Sequence, residues 1–237
     1  MARVVTVATA SDQGPVRKSN QDALLIDGIL YAVADGFGVS GDRASRIALD
    51  ALAAGFAAAP RRDGLVEAFA QANERVWEFV TADGGVSGAT LTVLAVFGAE
   101  LGGPLAINIG DSPLHRIRDG RMAQLTDDHS VAGDLVRAGD ITREQARAHP
   151  QRHLLTRALG IGRNIRPDLL DLACRPGDRL LISTDGLFAA AAEAGIEAAI
   201  VEAATAPDPE TAALRLVAVA NDAGGSDNTT VIVIDFG

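Results

Sequence analysis

The stretch A-L-L-I-D-G-I-L-Y-A-V-A-D-G (Ala23–Gly36) carries both the fold and the chemistry of this chain. It reads as two β-like runs, Ala23–Ile26 and Ile29–Ala34, joined by Asp27-Gly28, a hairpin signal. The second run stops at Asp35-Gly36. A carboxylate at the mouth of a strand can face a pocket, while the glycine after it lets the backbone turn or approach a ligand.

Outward from this hairpin, Val4–Ala8 is a further β-like run on the N-terminal side. On the other side, Ala44–Phe56 and Leu65–Val80 repeat their apolar residues at three and four, the period of a helix with one buried face. Pro60–Gly64 separates them as a turn. Four β-like segments follow: Thr90–Phe97, Leu105–Ile109, Leu114–Ile117 and Met122–Leu125, with a hairpin turn at Arg118-Asp119-Gly120-Arg121. The polar stretch Asp127–Arg152 reads as two short helices broken at Gly139-Asp140. Strands at Leu169–Ala173 and Leu180–Ser183, helices at Ile196–Ala204 and Glu210–Asn221, and a last strand at Thr230–Asp235 complete the pattern. Strands and helices come in blocks, not in strict alternation. Antiparallel sheets covered by helices are therefore expected, not a doubly wound parallel sheet.

At 237 residues with no repeat or linker, one domain is expected. Hydrophobic residues make up 48% and aromatic ones only 4%, so the core must be built from Ala, Val, Leu and Ile. A formal net charge of −10 argues against unassisted binding to nucleic acid or an anionic membrane. Cys174 is the only cysteine, which excludes an intrachain disulfide and a Cys-rich zinc site. The N-terminus has no apolar core of signal-peptide length, and the Ala-rich stretches Leu49–Ala59 and Leu187–Ala206 are too interrupted to span a membrane. A soluble, cytoplasmic monomer is expected.

The chemistry lies where apolar runs stop. Besides Asp35-Gly36, LAINI ends in Gly110-Asp111 and RLLIST in Asp185-Gly186, while Asp227-Asn228 opens TTVIVI. Any one Asp-Gly pair is explained by turn chemistry, as Asp27-Gly28 and Asp119-Gly120 are. Four carboxylates bordering apolar runs spread over the whole chain are not. Gathered in one pocket they would repel one another and rise in pKa. A divalent cation removes that conflict, and all-oxygen ligation favours Mg²⁺ or Mn²⁺, with Ca²⁺ possible, over zinc or copper. VRKSNQD (Val16–Asp22) adds Arg17, Asn20 and Asp22 in one loop. A guanidinium grips phosphate bidentately and stays charged at any working pH.

These pieces fall in the order of a known family. DQGPVRKSNQD (Asp12–Asp22), AVADG (Ala32–Gly36), SGAT (Ser87–Thr90), NIGDSPLHR (Asn108–Arg116), LTDDHS (Leu125–Ser130), HPQRHLLTRALG (His149–Gly160), GDRLLISTDGL (Gly177–Leu187) and DNTTVI (Asp227–Ile232) follow one another along the chain. With these motifs, from about Thr9 to Ile234, the sequence resembles the metal-dependent protein phosphatases of type 2C (PPM), in particular the bacterial serine/threonine members.

That resemblance implies an α+β fold: a four-layer α/β/β/α sandwich of two antiparallel sheets flanked by helices, forming a single catalytic domain over residues 1–237. It implies two core ions of Mn²⁺ or Mg²⁺, and a third. Asp35 would bridge two ions with help from the Gly36 carbonyl, Asp185 and Asp227 would complete the pair, and Asp111 would hold the third. Arg17 would bind the substrate phosphate, Asp22 would act from behind the direct ligands, and Asn228 would help hold the site. Residues 131–152 match the flap beside the cleft. The implied reaction is hydrolysis of phosphoserine or phosphothreonine in proteins by a metal-activated water, without a covalent phosphoenzyme. The implied partners are phosphoproteins made by a serine/threonine kinase.

The chain departs from the family pattern in D-G-F-G-V-S-G-D (Asp35–Asp42). Val39 and Ser40 stand where bacterial relatives carry Gly-His, Phe37 where some carry a histidine acid, and Gln21 where Glu is frequent. A pseudophosphatase that binds phosphoproteins without turnover is the competing reading. Among the remaining residues, His129 and His153 are expected to be structural, His115 and His149 to pack or lie on the surface, and Cys174 to be a small core hydrophobe. Cys174 also lacks an arginine six residues on, and no Gly-x-Ser-x-Gly elbow is present.

Overall fold

The computed structural model describes residues 3–84, 86–189 and 197–237. Eleven strands occur among them: β1 (Val4–Asp12), β2 (Asp22–Asp27), β3 (Leu30–Gly38), β4 (Ser87–Ala89), β5 (Leu91–Val96), β6 (Pro104–Ile109), β7 (Leu114–Arg118), β8 (Arg121–Gln124), β9 (Asp168–Asp171), β10 (Arg179–Ser183) and β11 (Thr229–Phe236). The helices are α1 (Gly41–Ala58), α2 (Arg62–Asp83), α3 (Val131–Ala138), α4 (Arg143–Arg147), α5 (Glu197–Ala204) and α6 (Pro209–Asp222). The strands form two antiparallel sheets, ordered β1-β11-β10-β7-β8 and β2-β3-β5-β6-β9, with β4 pairing β3 beyond β5. This is the four-layer α+β sandwich expected.

Side chains alternate across each strand, and that alternation builds three apolar layers. From β3, Leu30, Ala32 and Ala34 face α1 and α2, where Leu52, Leu65 and Phe69 are buried. Tyr31 and Val33 point the other way and meet Leu180, Ile182, Ile232 and Ile234 of the second sheet. Leu181, Val231 and Val233 alternate with these and pack under α5 and α6 against Ile200, Ala213 and Leu216. Each fully buried Leu, Ile or Val contributes about 1.5–3 kcal/mol relative to exposure, so the layers hold without many aromatics.

Antiparallel pairing also decides which strand ends share a side. β3 and β6 both pair with β5, so they run in the same direction and their C-terminal ends lie together. The C-terminal end of β10 lies beside the N-terminal end of β11, and Asp22 opening β2 stands directly opposite Asp35. The same rule that seals the core thus delivers carboxylates from five strands to one end of the sandwich.

The element boundaries follow the sequence reading with informative differences. β3 continues past Ala34 to Gly38, because its end finds a partner in β4, a strand the apolar pattern did not mark. The hairpin signals hold: β2 and β3 are joined by Gly28 and Ile29, and β7 and β8 by Asp119 and Gly120. Asp119, at φ 52°, is the only non-glycine residue with positive φ among the described residues, as a two-residue turn of this kind demands. The polar stretch folds as α3 and α4, each started by a side-chain cap, Ser130 and Thr142. The expected helix start at Ile196 lies outside the described residues. Among the described residues, no helix is long and apolar enough to cross a membrane.

Candidate active site

Asp35, Asp111, Asp185 and Asp227 line one cleft of about 460 Å³, together with Arg17, Gln21, Gly36, Phe37, Gly38, Thr90 and His153. Asp22 lies buried behind it. Arg17, Asp22, Asp35, Gly36, Asp111, Asp185 and Asp227 therefore converge, although Asp22 and Asp227 stand 205 positions apart.

The loop carrying Arg17 runs between β1 and β2 and is tied down by one side chain. Asn228 accepts from the Gln21 N–H (2.9 Å) and donates to the carbonyls of Gln13 (2.8 Å) and Ser19 (3.0 Å). Asn228 is buried, so these three bonds fix the loop against the start of β11. Arg17 then leans over the cleft rim: Nη2 donates to Asp227 Oδ2 (2.7 Å) and Nε to the Ser226 carbonyl (3.2 Å). Gln21 reaches across to the Gly38 carbonyl (3.0 Å), and Gly36 N–H donates to the Gln21 carbonyl (3.2 Å). A side chain at position 36 would place its Cβ 2.0 Å from the Gly41 carbonyl oxygen, so only glycine allows this approach.

The cleft is electrostatically unsettled. Burial, then the charges of Asp22, Asp185, Asp111 and Asp227, hold the Asp35 carboxyl well above the usual carboxylate range. Asp111 is raised well above it too, by burial and then Asp185 and Asp128. Asp22 is pushed up to about 7, mainly by burial, with the nearby hydroxyls of Thr230 and Thr184 opposing and Asp185 and Asp227 adding to the rise. Thr184 donates to Asp22 Oδ2 (2.9 Å), but Asp22 Oδ1 and Asp185 Oδ1 are buried with no hydrogen-bond partner among the described residues. Unsatisfied buried oxygens and mutually repelling carboxylates are costly, and a hard divalent cation is the ligand that satisfies both. The donor set, carboxylates and backbone carbonyls, fits such an ion. Among the described residues no three His, Cys, Asp or Glu side chains are preassembled as a metal cage; Arg17 and His153 lean on Asp227 and Asp185 instead.

Several residues belong to this end that the sequence reading did not assign. Asp128 is pushed up to about 6, chiefly by burial, and adds to the charge around Asp111; its motif was legible, its role was not. Thr90, between β4 and β5, accepts from the Asp35 N–H (3.0 Å) and meets Ser112 Oγ (2.7 Å), tying Asp35 of β3 to the segment after β6. His153, expected to be structural, faces the cleft with Nδ1 3.5 Å from Asp185 Oδ2. Phe37 lines the cleft, whereas Val39 is 87% exposed and Ser40 turns away to donate to Asp83 (2.8 Å). Within Asp35–Asp42, Phe37 is thus the departure at the cleft, and Gln21, standing where Glu is frequent, lines it too.

His129 and His115 are buried away from the cleft. His129 is fully buried, and burial holds its imidazole below the usual range despite Asp168 beside it. His115 is pushed down to about 3, first by burial, and stacks on Phe188 with centroids 4.7 Å apart. Cys174 packs at the edge of the core between the sheets, where burial pushes its thiol up to about 11 and leaves it unreactive.

Fold and site together define a helix-flanked antiparallel sandwich with an acidic, phosphate-ready cleft at one end. The comparisons give that class a family. No family model matches the chain. The structure of the PPM Ser-Thr phosphatase MsPP from Mycobacterium smegmatis, in complex with cacodylate, is 68% identical with a TM-score of 0.95, covering 99% of each chain. A putative protein phosphatase 2C-type from Streptococcus pyogenes is 32% identical over 96% of both chains. The serine/threonine protein phosphatase PstP of Mycobacterium tuberculosis is 37% identical over 99% of this chain, which spans about half of that relative's length, 46%. A structure of a PstP catalytic domain, described as in complex with two manganese ions, covers 99% of that domain at 32% identity and a TM-score of 0.84. The chain belongs to the PPM, or type 2C, family of serine/threonine phosphatases.

Proposed function

We propose that the chain hydrolyses phosphoserine and phosphothreonine in proteins, with Mn²⁺ or Mg²⁺ held in the carboxylate cleft. The observation that carries this reading is the convergence of Asp35, Asp111, Asp185 and Asp227 from both sheets, with Arg17 beside them at the rim. In it, Asp35, the Gly36 carbonyl, Asp185 and Asp227 hold two ions, and Asp111 a third. Bound there, the ions supply an activated water and neutralise phosphoryl charge. Arg17 orients the phosphate through its guanidinium fork. Asp22, backed by Thr184, steadies the cleft floor opposite Asp35. Asn228 keeps the Arg17 loop in place, and residues 131–152 act as a flap beside the cleft.

Phe37 cannot protonate a leaving alkoxide. His153, at the cleft beside Asp185, is the imidazole placed to do so or to relay a proton through water. The substrates are phosphoproteins of a serine/threonine kinase, and the chain acts as a single-domain monomer in the cytoplasm.

Turnover of p-nitrophenyl phosphate and of a phosphothreonine peptide with added Mn²⁺ tests this. Activity that depends on Mn²⁺ and disappears on chelation is the expected result. No turnover of either substrate with saturating Mn²⁺, but retained phosphopeptide binding, would establish the pseudophosphatase instead.

A further inference from the structure

The buried imidazole of His129 is used by none of the roles above, yet it grips the peptide that launches Asp111. Gly110 donates its N–H to His129 Nδ1 (3.1 Å), and the His129 backbone N–H donates to the Gly110 carbonyl (3.0 Å). One residue thus holds both polar groups of the glycine between β6 and Asp111. Gly110 sits at φ 103°, and a Cβ there would lie 2.5 Å from Thr90 Cγ2. The corner is therefore pressed against Thr90 on one side and clasped by His129 on the other. Because Nδ1 accepts, it carries no proton, and Nε2–H donates to Asp168 Oδ2 (3.0 Å). Asp168 Oδ1 in turn accepts from Arg157 Nη1 (2.9 Å). The tautomer is thereby fixed from outside, and His129 is fully buried.

We infer that His129 is a positioning residue: its Nδ1 clamp on Gly110, oriented by Asp168 and Arg157, aims the Asp111 carboxylate into the cleft. The inference rests on the proposed role of Asp111 as an ion ligand. The logic is that of an outer ligand shell, whose hydrogen bonds fix the direction of the inner one.

Asparagine and glutamine separate the two halves of the ring. In His129→Asn, Oδ1 falls near the place of Nδ1 and can still accept from Gly110. In His129→Gln, the amide reaches toward Asp168 but offers no acceptor at that place. Mn²⁺ is titrated calorimetrically into metal-stripped protein, and Asp111→Ala identifies the binding event that depends on Asp111. His129→Gln is expected to weaken that event about tenfold and the others less than about twofold, while His129→Asn stays within about threefold of the parent. Equal losses in both variants, in step with their losses of thermal stability, would overturn the inference in favour of a packing role.

The ring itself provides a measurement that needs no variant. The ¹⁵N spectrum of the His129 imidazole is expected to show an unprotonated Nδ1 and a protonated Nε2, with the Gly110 amide protected from exchange. A protonated Nδ1 would overturn the clamp however the variants fold. A parent protein that binds no Mn²⁺ would refute the ion role of Asp111, while the tautomer would still decide the clamp.

Discussion

Arg17 Nη2 donates to Asp227 Oδ2 at 2.7 Å, so the guanidinium rests on one of the carboxylates beside which it is proposed to act. The Arg17 side chain is 48% exposed, and a pair this open is worth about 0–1 kcal/mol. A phosphate entering the cleft competes with it easily, because a charged hydrogen bond contributes about 1.5–3 kcal/mol. Arg17→Ala is therefore expected to raise KM for a phosphothreonine peptide by roughly tenfold or more, with a smaller fall in kcat. Steady-state kinetics at saturating Mn²⁺ measure it; an unchanged KM removes Arg17 from phosphate binding.

Asp185 and Asp227 bring charge into a cleft that already has too much of it. Asp185→Asn and Asp227→Asn should each remove most Mn²⁺-dependent turnover, since an amide is a poor substitute for an anionic ligand. Neither should unfold the protein, because each change also relieves repulsion among buried carboxylates. Turnover assays paired with metal-free thermal melts check both halves. Near-parental turnover in both variants would exclude these positions from the ion site.

The raised carboxyls make the metal-free fold sensitive to pH. Unfolded carboxylates release their protons near pH 4, whereas Asp22, at about 7, and Asp35 and Asp111, raised well above the usual carboxylate range, retain theirs in the folded state. Between those values the folded state binds more protons, so its stability falls as pH rises. Chelated protein should melt at a higher temperature at pH 5.5 than at pH 8. Mn²⁺ should reverse the loss at pH 8, adding about 2.7 kcal/mol at a hundredfold excess over its dissociation constant. A melting temperature indifferent to both pH and Mn²⁺ would contradict the electrostatic picture of the cleft.

Gly36 has no room for a side chain. Gly36→Ala would drive its Cβ into the Gly41 carbonyl, and relieving that contact should cost about 1–3 kcal/mol. Because the same displacement moves the turn after Asp35, Mn²⁺ affinity should fall with it. Denaturant melts and Mn²⁺ titration of the variant measure the two effects. Parental values in both would show that the α1 N-terminus yields freely.

Much of this was legible in one dimension. The β-like runs around Asp27-Gly28 and Asp119-Gly120 gave the hairpins, and the three-and-four spacing in Ala44–Phe56 gave α1. The ordered motifs gave the family and every carboxylate of the cleft. Less visible were β4, which is too short and glycine-containing to show a pattern, and His153, whose contact with Asp185 crosses 32 positions.

The sequence by itself determined the inventory: which residues are apolar at which period, and that aspartates border the apolar runs. Local patterning can do this because backbone sterics and side-chain alternation act over a few residues. Only the tertiary structure decided that Asp35, Asp111, Asp185 and Asp227 converge on one cleft. It also decided that Phe37 faces the cleft while Ser40 turns away, and that His129 clamps Gly110. Those outcomes depend on strand order and direction in two sheets, set by burial across the whole chain, and no window of residues contains them.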